Sequence, residues 1–116
     1  MQTIWSLLVK FVMTFVFAAL AFFYLMTNPI MSVFWVALAA TVINYLVGDL
    51  MVLPAFGNTV ASIGDGIMAG LVAYVAALAT PMFTAPLNAL LIFAVLVGIG
   101  EYFFHQFLKN SEKVAP

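Results

Sequence analysis

Cysteine and arginine are both absent from this chain, and charge of either sign is scarce. Without cysteine there are no disulfides, no thiolate metal ligands and no thiol nucleophiles. Three lysines supply all the strong positive charge of 116 residues. Nucleic-acid binding depends on neutralising phosphates with Lys and Arg, so nucleic acid is a poor candidate partner. Charged residues make up only 6% of the chain, against about 25% in soluble domains. So small a share cannot coat a water-exposed surface. In its place the chain is 67% hydrophobic, with a mean hydropathy of +1.25. The lipid bilayer is the expected solvent for most of it.

A membrane-spanning helix needs about 20 mostly apolar residues. Proline-containing breaks at "TNP" (27–29), "LPAFGNT" (53–59) and "ATPMFTAP" (79–86) divide the chain, and proline and glycine are the strongest local punctuators. Four apolar segments remain, roughly 4–26, 30–53, 60–79 and 86–108, with a short polar tail at 109–116. Short connections favour sequential antiparallel hairpins. The expected fold is all-α: one domain over 1–116, a polytopic membrane protein with four transmembrane helices in an antiparallel up-down bundle. A cleaved signal peptide fits poorly, because the small-residue sites near Ala19 and Ala21 would cut the first apolar run in half.

Lys10, Lys109 and Lys113 lie near the two ends of the chain, and the first and third breaks carry no charge. With four crossings both termini share a side, and the positive-inside rule puts that side in the cytoplasm. The expected location is the bacterial cytoplasmic membrane. Trp5 then lies near the inner interface and Trp35 near the outer one. Lys10, one to two turns into the first helix, is expected to snorkel its ammonium back to the headgroups.

The polar residues gather at that same end. Asp49 falls in the last turns of the second helix and Asp65 in the second turn of the third, flanking the central break. Glu101 and His105 are four apart on the fourth helix and share a face. Thr41, Asn44, Tyr45 and Gly48 form a stripe leading to Asp49. Asp49 is the hardest to dismiss, because the C-terminal end of a helix disfavours an anion. No sequence neighbour offers a cation, so a partner from another helix is expected: His105, Asn58 or an amide of the central loop. Asn58 or Thr59 is a natural N-cap for the third helix, and Glu101 and His105 can pair with each other.

Two readings of this set compete. In one, Asp49, Asp65, Glu101 and His105 form a site for a divalent metal or for protons. Oxygen-rich ligands with one imidazole suit Mn, Mg or Zn better than a soft metal. In the other, the same groups lock the bundle structurally, and this reading leads. Ser62, Gly66, Ala69, Gly70, Ala73 and Ala77 form a small-residue face on the third helix that lets another backbone approach closely. That approach is either packing within the chain or a homo-oligomer contact. Enzyme chemistry is not expected: one histidine, no basic sequence neighbour for Ser62, and no phosphate-cradling glycine loop with its lysine. No cofactor is expected.

The segments "YLVGDLMVLPAFGNTVASIGD" (45–65) and "EYFFHQFL" (101–108) resemble the YndM family, small four-helix membrane proteins of bacilli and related bacteria whose domain has no known function. The resemblance spans nearly the whole chain, and Gly48, Asp49, Pro54, Gly57, Asn58, Asp65, Glu101 and His105 fall on its pattern. It implies a membrane location and a four-helix fold, and no activity. The family pattern often carries a basic residue directly after the loop proline, where this chain has Ala55. If that cation pairs with an aspartate, Asp49 or Asp65 needs another counter-charge here.

Overall fold

The computed structural model describes residues 2–24 and 27–110. Helix α1 (Gln2–Ala18) passes into a π-helical stretch at Ala19–Tyr24 and forms the first crossing. Helix α2 (Ile30–Ile43) passes into a longer π-helical stretch at Asn44–Val52 and ends in the short α3 (Leu53–Phe56), completing the second. Helices α4 (Asn58–Ala79) and α5 (Leu87–Asn110) are the third and fourth. The four apolar spans are 21, 27, 22 and 20 residues long. The molecule is 40 Å in its longest dimension, close to the full thickness of a bilayer with its headgroups. Lys113 and the rest of residues 111–116 lie outside the described residues, as does the side chain of Lys109.

The crossings form a closed ring: α1 packs on α2 and α5, α2 packs on α4, and α4 packs most extensively on α5. Only 28% to 39% of each span is buried within the chain, and the remaining surface is apolar. Trp5 and Trp35 both lie on this outer surface, near opposite ends of the bundle, where amphipathic rings suit the headgroup level.

The second crossing runs past position 53, where the sequence suggests it stops. Pro54 occupies the first turn of α3, a position that tolerates its missing N–H. Gly57 then breaks the helix with φ +89°, a conformation open to glycine without penalty. Gly57, not Asn58 or Thr59, is the N-cap of α4, and it makes no side-chain cap bond. Asn58 is instead the first helical residue, and its side chain is used elsewhere. The π-helical stretch before Pro54 widens the helix so that Asn44, Tyr45, Gly48 and Asp49 all face inward.

Small residues set the tightest contact. A Cβ added to Gly66 would stand 2.5 Å from the Ala94 carbonyl oxygen and 3.3 Å from the Gly98 Cα, and one on Gly70 would touch Ala94. The small-residue face of α4 thus packs on α5 of the same chain, with Gly66 buried in the contact and Gly70 half-buried.

The interior has two halves. Away from the termini it is dry, built of alanine, valine and phenylalanine, with the Phe22 ring 5.1 Å from Phe83 and 5.2 Å from Phe93 between centroids. Asn28 closes this end. Its amide donates to the Phe22 carbonyl at 2.9 Å and to the Thr84 carbonyl at 2.8 Å, and its Oδ1 accepts from the Thr84 N–H at 2.7 Å. One side chain therefore ties the first connection to the third. Asn28→Ala strands the Thr84 carbonyl and N–H, while the Phe22 carbonyl keeps the Asn28 backbone N–H at 2.9 Å, and it is expected to cost about 1–3 kcal/mol, measured by thermal unfolding in detergent micelles. The other half of the interior is polar.

Candidate functional site: a buried ionic cluster

Lys10 lies on α1 with Ser6 one turn before it and Thr14 one turn after, and all three are fully buried. Four-residue spacing puts them on one face, and packing turns that face inward. The Lys10 ammonium therefore does not snorkel to the headgroups. It donates to Asp49 Oδ2 at 2.8 Å, lies 2.6 Å from Glu101 Oε2 and 3.9 Å from Asp65 Oδ2. It also stands 5.4 Å from the centroid of the Phe104 ring, within range of a cation–π attraction. One cation thus meets carboxylates from each of the other three crossings. Lys10, near the start of its crossing, meets Asp49 near the end of the second, Asp65 near the start of the third and Glu101 near the end of the fourth. Only alternating directions allow this, so the contacts themselves establish the up-down topology.

His105 completes the cluster. Its Nε2 faces Asp49 Oδ1 at 2.9 Å and Asp65 Oδ2 at 3.2 Å. A carboxylate only accepts, so Nε2 carries the proton and donates. On the other side of the ring, Nδ1 lies 2.9 Å from Asn58 Oδ1 and 3.2 Å from the Ser62 hydroxyl. Asn58 is oriented by its Nδ2, which donates to the Tyr102 carbonyl at 3.0 Å. The Ser62 hydroxyl donates to the same Asn58 Oδ1 at 3.1 Å. Because Asn58 Oδ1 only accepts, Nδ1 at 2.9 Å is placed to donate to it, an arrangement that suits the ring with both nitrogens protonated.

Gly48 permits the closest approach. A Cβ built there would collide with Asp65 Oδ1, so the absence of a side chain lets the Asp65 carboxylate lie against the backbone of the second crossing. Asn44 fastens the same place, its amide donating to the Asp65 carbonyl at 3.2 Å. Asp49, Asp65, Glu101 and His105 each offer one ligand atom, and the four atoms lie within 4.8 Å of one another. The four residues singled out in the sequence converge. Asp49 finds His105, one of its anticipated partners, and also Lys10, whose sequence position suggested the headgroups. Glu101 and His105 do not bond to each other: Glu101 turns to Lys10 and His105 to Asp49. Ala55 is exposed on α3, and the counter-charge in question comes from Lys10 instead.

Ser62, His105 and Asp49 fall in the order of a nucleophile, a base and an orienting acid. The resemblance stops there. Asn58 Oδ1 lies closer to Nδ1 than Ser62 does, and Ser62 sits inside α4, where the neighbouring amides serve the helix. An acyl-transfer centre needs free donors aimed at a developing oxyanion.

Several buried polar atoms make no well-formed hydrogen bond among the described residues, including Ser6 Oγ, Thr14 Oγ1, Asn44 Oδ1, Asp65 Oδ2 and Glu101 Oε1. Ser6 and Thr14 are not singled out by residue type. Their spacing with Lys10 on an otherwise apolar helix is the signal that finds them.

A four-crossing membrane bundle closed around an internal lysine–carboxylate–histidine cluster is the class that these features define. The chain belongs to the family described as "Protein of unknown function (DUF2512)", which matches residues 1–114. It is also similar to the uncharacterized membrane protein YndM of Bacillus subtilis (strain 168), with 34% identity over 82 residues. That match covers 70% of this chain and 46% of the relative, so the chain spans about half the length of that protein. No solved structure matches it.

Proposed function

We propose that this chain is a non-catalytic protein of the bacterial cytoplasmic membrane whose ionic cluster locks the crossings together and whose apolar outer face serves lipid and a protein partner. The observation that carries this reading is the Lys10 ammonium, fully buried between Asp49 and Glu101 of two other crossings. A buried charge without a partner is strongly destabilising, so each helix is needed to compensate the others. Both termini lie on the cytoplasmic side in this proposal. Lys10 points inward and does not argue for it; Lys109 and Lys113 carry the positive-inside rule alone.

The second reading is a small transporter or ion-binding protein that uses the cluster for a divalent metal or for protons. It is favoured by the four converging ligand atoms and by three carboxylates facing one ammonium and one imidazole. Against a dication stands the position of Lys10, whose charge already occupies the space among those carboxylates. Titrating the purified protein with Mg, Mn and Zn separates the readings. A ligand that binds only the native state raises the thermal midpoint saturably. The lock predicts no shift in wild type or in Asp49→Asn, with the variant about 1–3 kcal/mol less stable from lost hydrogen bonding. A saturable shift that Asp49→Asn abolishes makes the cluster an ion site.

A further inference from the structure

We infer that the cluster communicates with water from one side of the membrane only: the end that carries Ser6 and Asn58. The inference goes beyond the proposed lock, and the access route is tested without any bound ion.

Three observations point to it. The first is a continuous polar path. Half-buried Asn58 contacts His105 Nδ1 at 2.9 Å, His105 Nε2 contacts Asp49 at 2.9 Å, and Asp49 accepts from Lys10 at 2.8 Å. No step from the bundle end to the centre of the cluster exceeds hydrogen-bond distance. The second is a set of unpartnered oxygens outside the acidic residues. Ser6 Oγ and Thr14 Oγ1 flank Lys10 on its own face of α1, and Asn44 Oδ1 lies on the residue whose amide holds the Asp65 carbonyl. Thr41 donates to the Ala37 carbonyl at 2.7 Å, as a buried helical hydroxyl can. Ser6 and Thr14 make no such bond. Buried polar groups left without protein partners are where internal water binds. The third is the opposite half of the interior, where Phe22, Phe83 and Phe93 meet and the surrounding residues are alanine and valine. Among the described residues nothing polar continues the path there until Asn28, which is committed to the two connections.

The groups that face this point are Lys10 from α1, Asp49 from the second crossing, Asp65 from α4, and Glu101 and His105 from α5. Glu101 Oε1 accepts no well-formed hydrogen bond, whereas Asp65 Oδ2 lies 3.2 Å from His105 Nε2 and 3.9 Å from the Lys10 ammonium. The space among the carboxylates is held by the chain's own cations, so the route serves water, which enters and leaves on the same side.

The native absence of cysteine makes the test clean. Single Ser6→Cys and Ser62→Cys variants, with Ala18→Cys and Ala73→Cys from the dry half as controls, are treated in oriented membrane vesicles with a small trimethylammonium methanethiosulfonate. The thiolate attacks the reagent's sulfur, forms a disulfide and releases methanesulfinate, so labelling reports contact with aqueous cation. Negatively lined clefts raise cation encounter rates by about 10-fold or more, so both serine positions are expected to react at least about tenfold faster than the controls. They should do so only from the side of the termini. Equal rates at all four positions, labelling from the opposite side, or no labelling at either serine in variants that keep the wild-type thermal midpoint would overturn the inference. Amide deuterium uptake in unmodified protein provides a second reading: faster exchange at Asp65 and Gly66 than at Ala73 and Val97 is expected, and equal protection contradicts it.

Discussion

Lys10→Met is expected to destabilise the bundle by about 3–5 kcal/mol, the usual loss when one partner of a buried ion pair is removed. The methionine fills similar volume, so the effect is electrostatic and not a cavity. What remains is Asp49, Asp65 and Glu101 facing one another with only His105 to compensate them. Unfolding in detergent micelles, followed by circular dichroism, reads the change. A compensated variant separates charge from packing. Replacing a whole buried ionic group with apolar residues of similar size is often neutral or stabilising. A variant carrying Lys10→Met with Asp49→Leu and Glu101→Met should therefore recover most of the stability lost by Lys10→Met alone. Recovery means that the unpaired charge was the cause. Failure to recover would mean that the lysine's packing matters more than its charge. Lys10→Arg should not substitute cleanly, because a planar guanidinium does not fit a site built around a compact ammonium.

Gly48→Ala is the second large effect. In most of a helix, alanine is preferred over glycine by about 0.8–1.0 kcal/mol. At position 48 the added methyl collides with the Asp65 carboxylate. Overpacking of this kind costs about 1–3 kcal/mol, and here it also pushes Asp65 away from His105. Gly64→Ala is the matched control, since nothing lies within 4 Å of a Cβ built there. The expected order of thermal midpoints is Gly64→Ala at or above wild type and Gly48→Ala clearly below it. Equal midpoints for the two variants would contradict the close approach of Asp65 to the second crossing.

Much of this arrangement is legible in the amino-acid sequence. Apolar runs broken by Pro29, Pro54, Pro81 and Pro86 give four crossings, because a helix satisfies its own backbone within the bilayer. Asp49, Asp65, Glu101 and His105 are recognisable as a set, since short connections bring the ends of alternate helices together. Lys10 misleads for a physical reason. A long aliphatic stem near a helix end fits a headgroup-seeking lysine and a buried one equally well, and its position along the helix does not tell which way it faces. The companions Ser6 and Thr14 hold that information. A polar stripe on a helix otherwise bathed in lipid points to the interior. The π-helical turns around Asn44–Val52 are not legible, because a pattern of 3.6 residues per turn does not anticipate a wider helix that turns both Gly48 and Asp49 inward. Residue type and position suit Asn58 to a cap, but Gly57 with its positive φ takes that role and releases the asparagine to orient His105.

The most direct test of the lock is a double-mutant cycle on Lys10 and Glu101, whose charged atoms lie 2.6 Å apart on different crossings. Stabilities of wild type, Lys10→Met, Glu101→Gln and the double variant are measured under one set of conditions. Directly interacting residues show coupling of about 0.5–3 kcal/mol, and the lock predicts a coupling toward the upper end of that range, with the double variant less damaged than the two single losses combined. Additivity within about 0.3–0.5 kcal/mol, as found for independent sites, would contradict it.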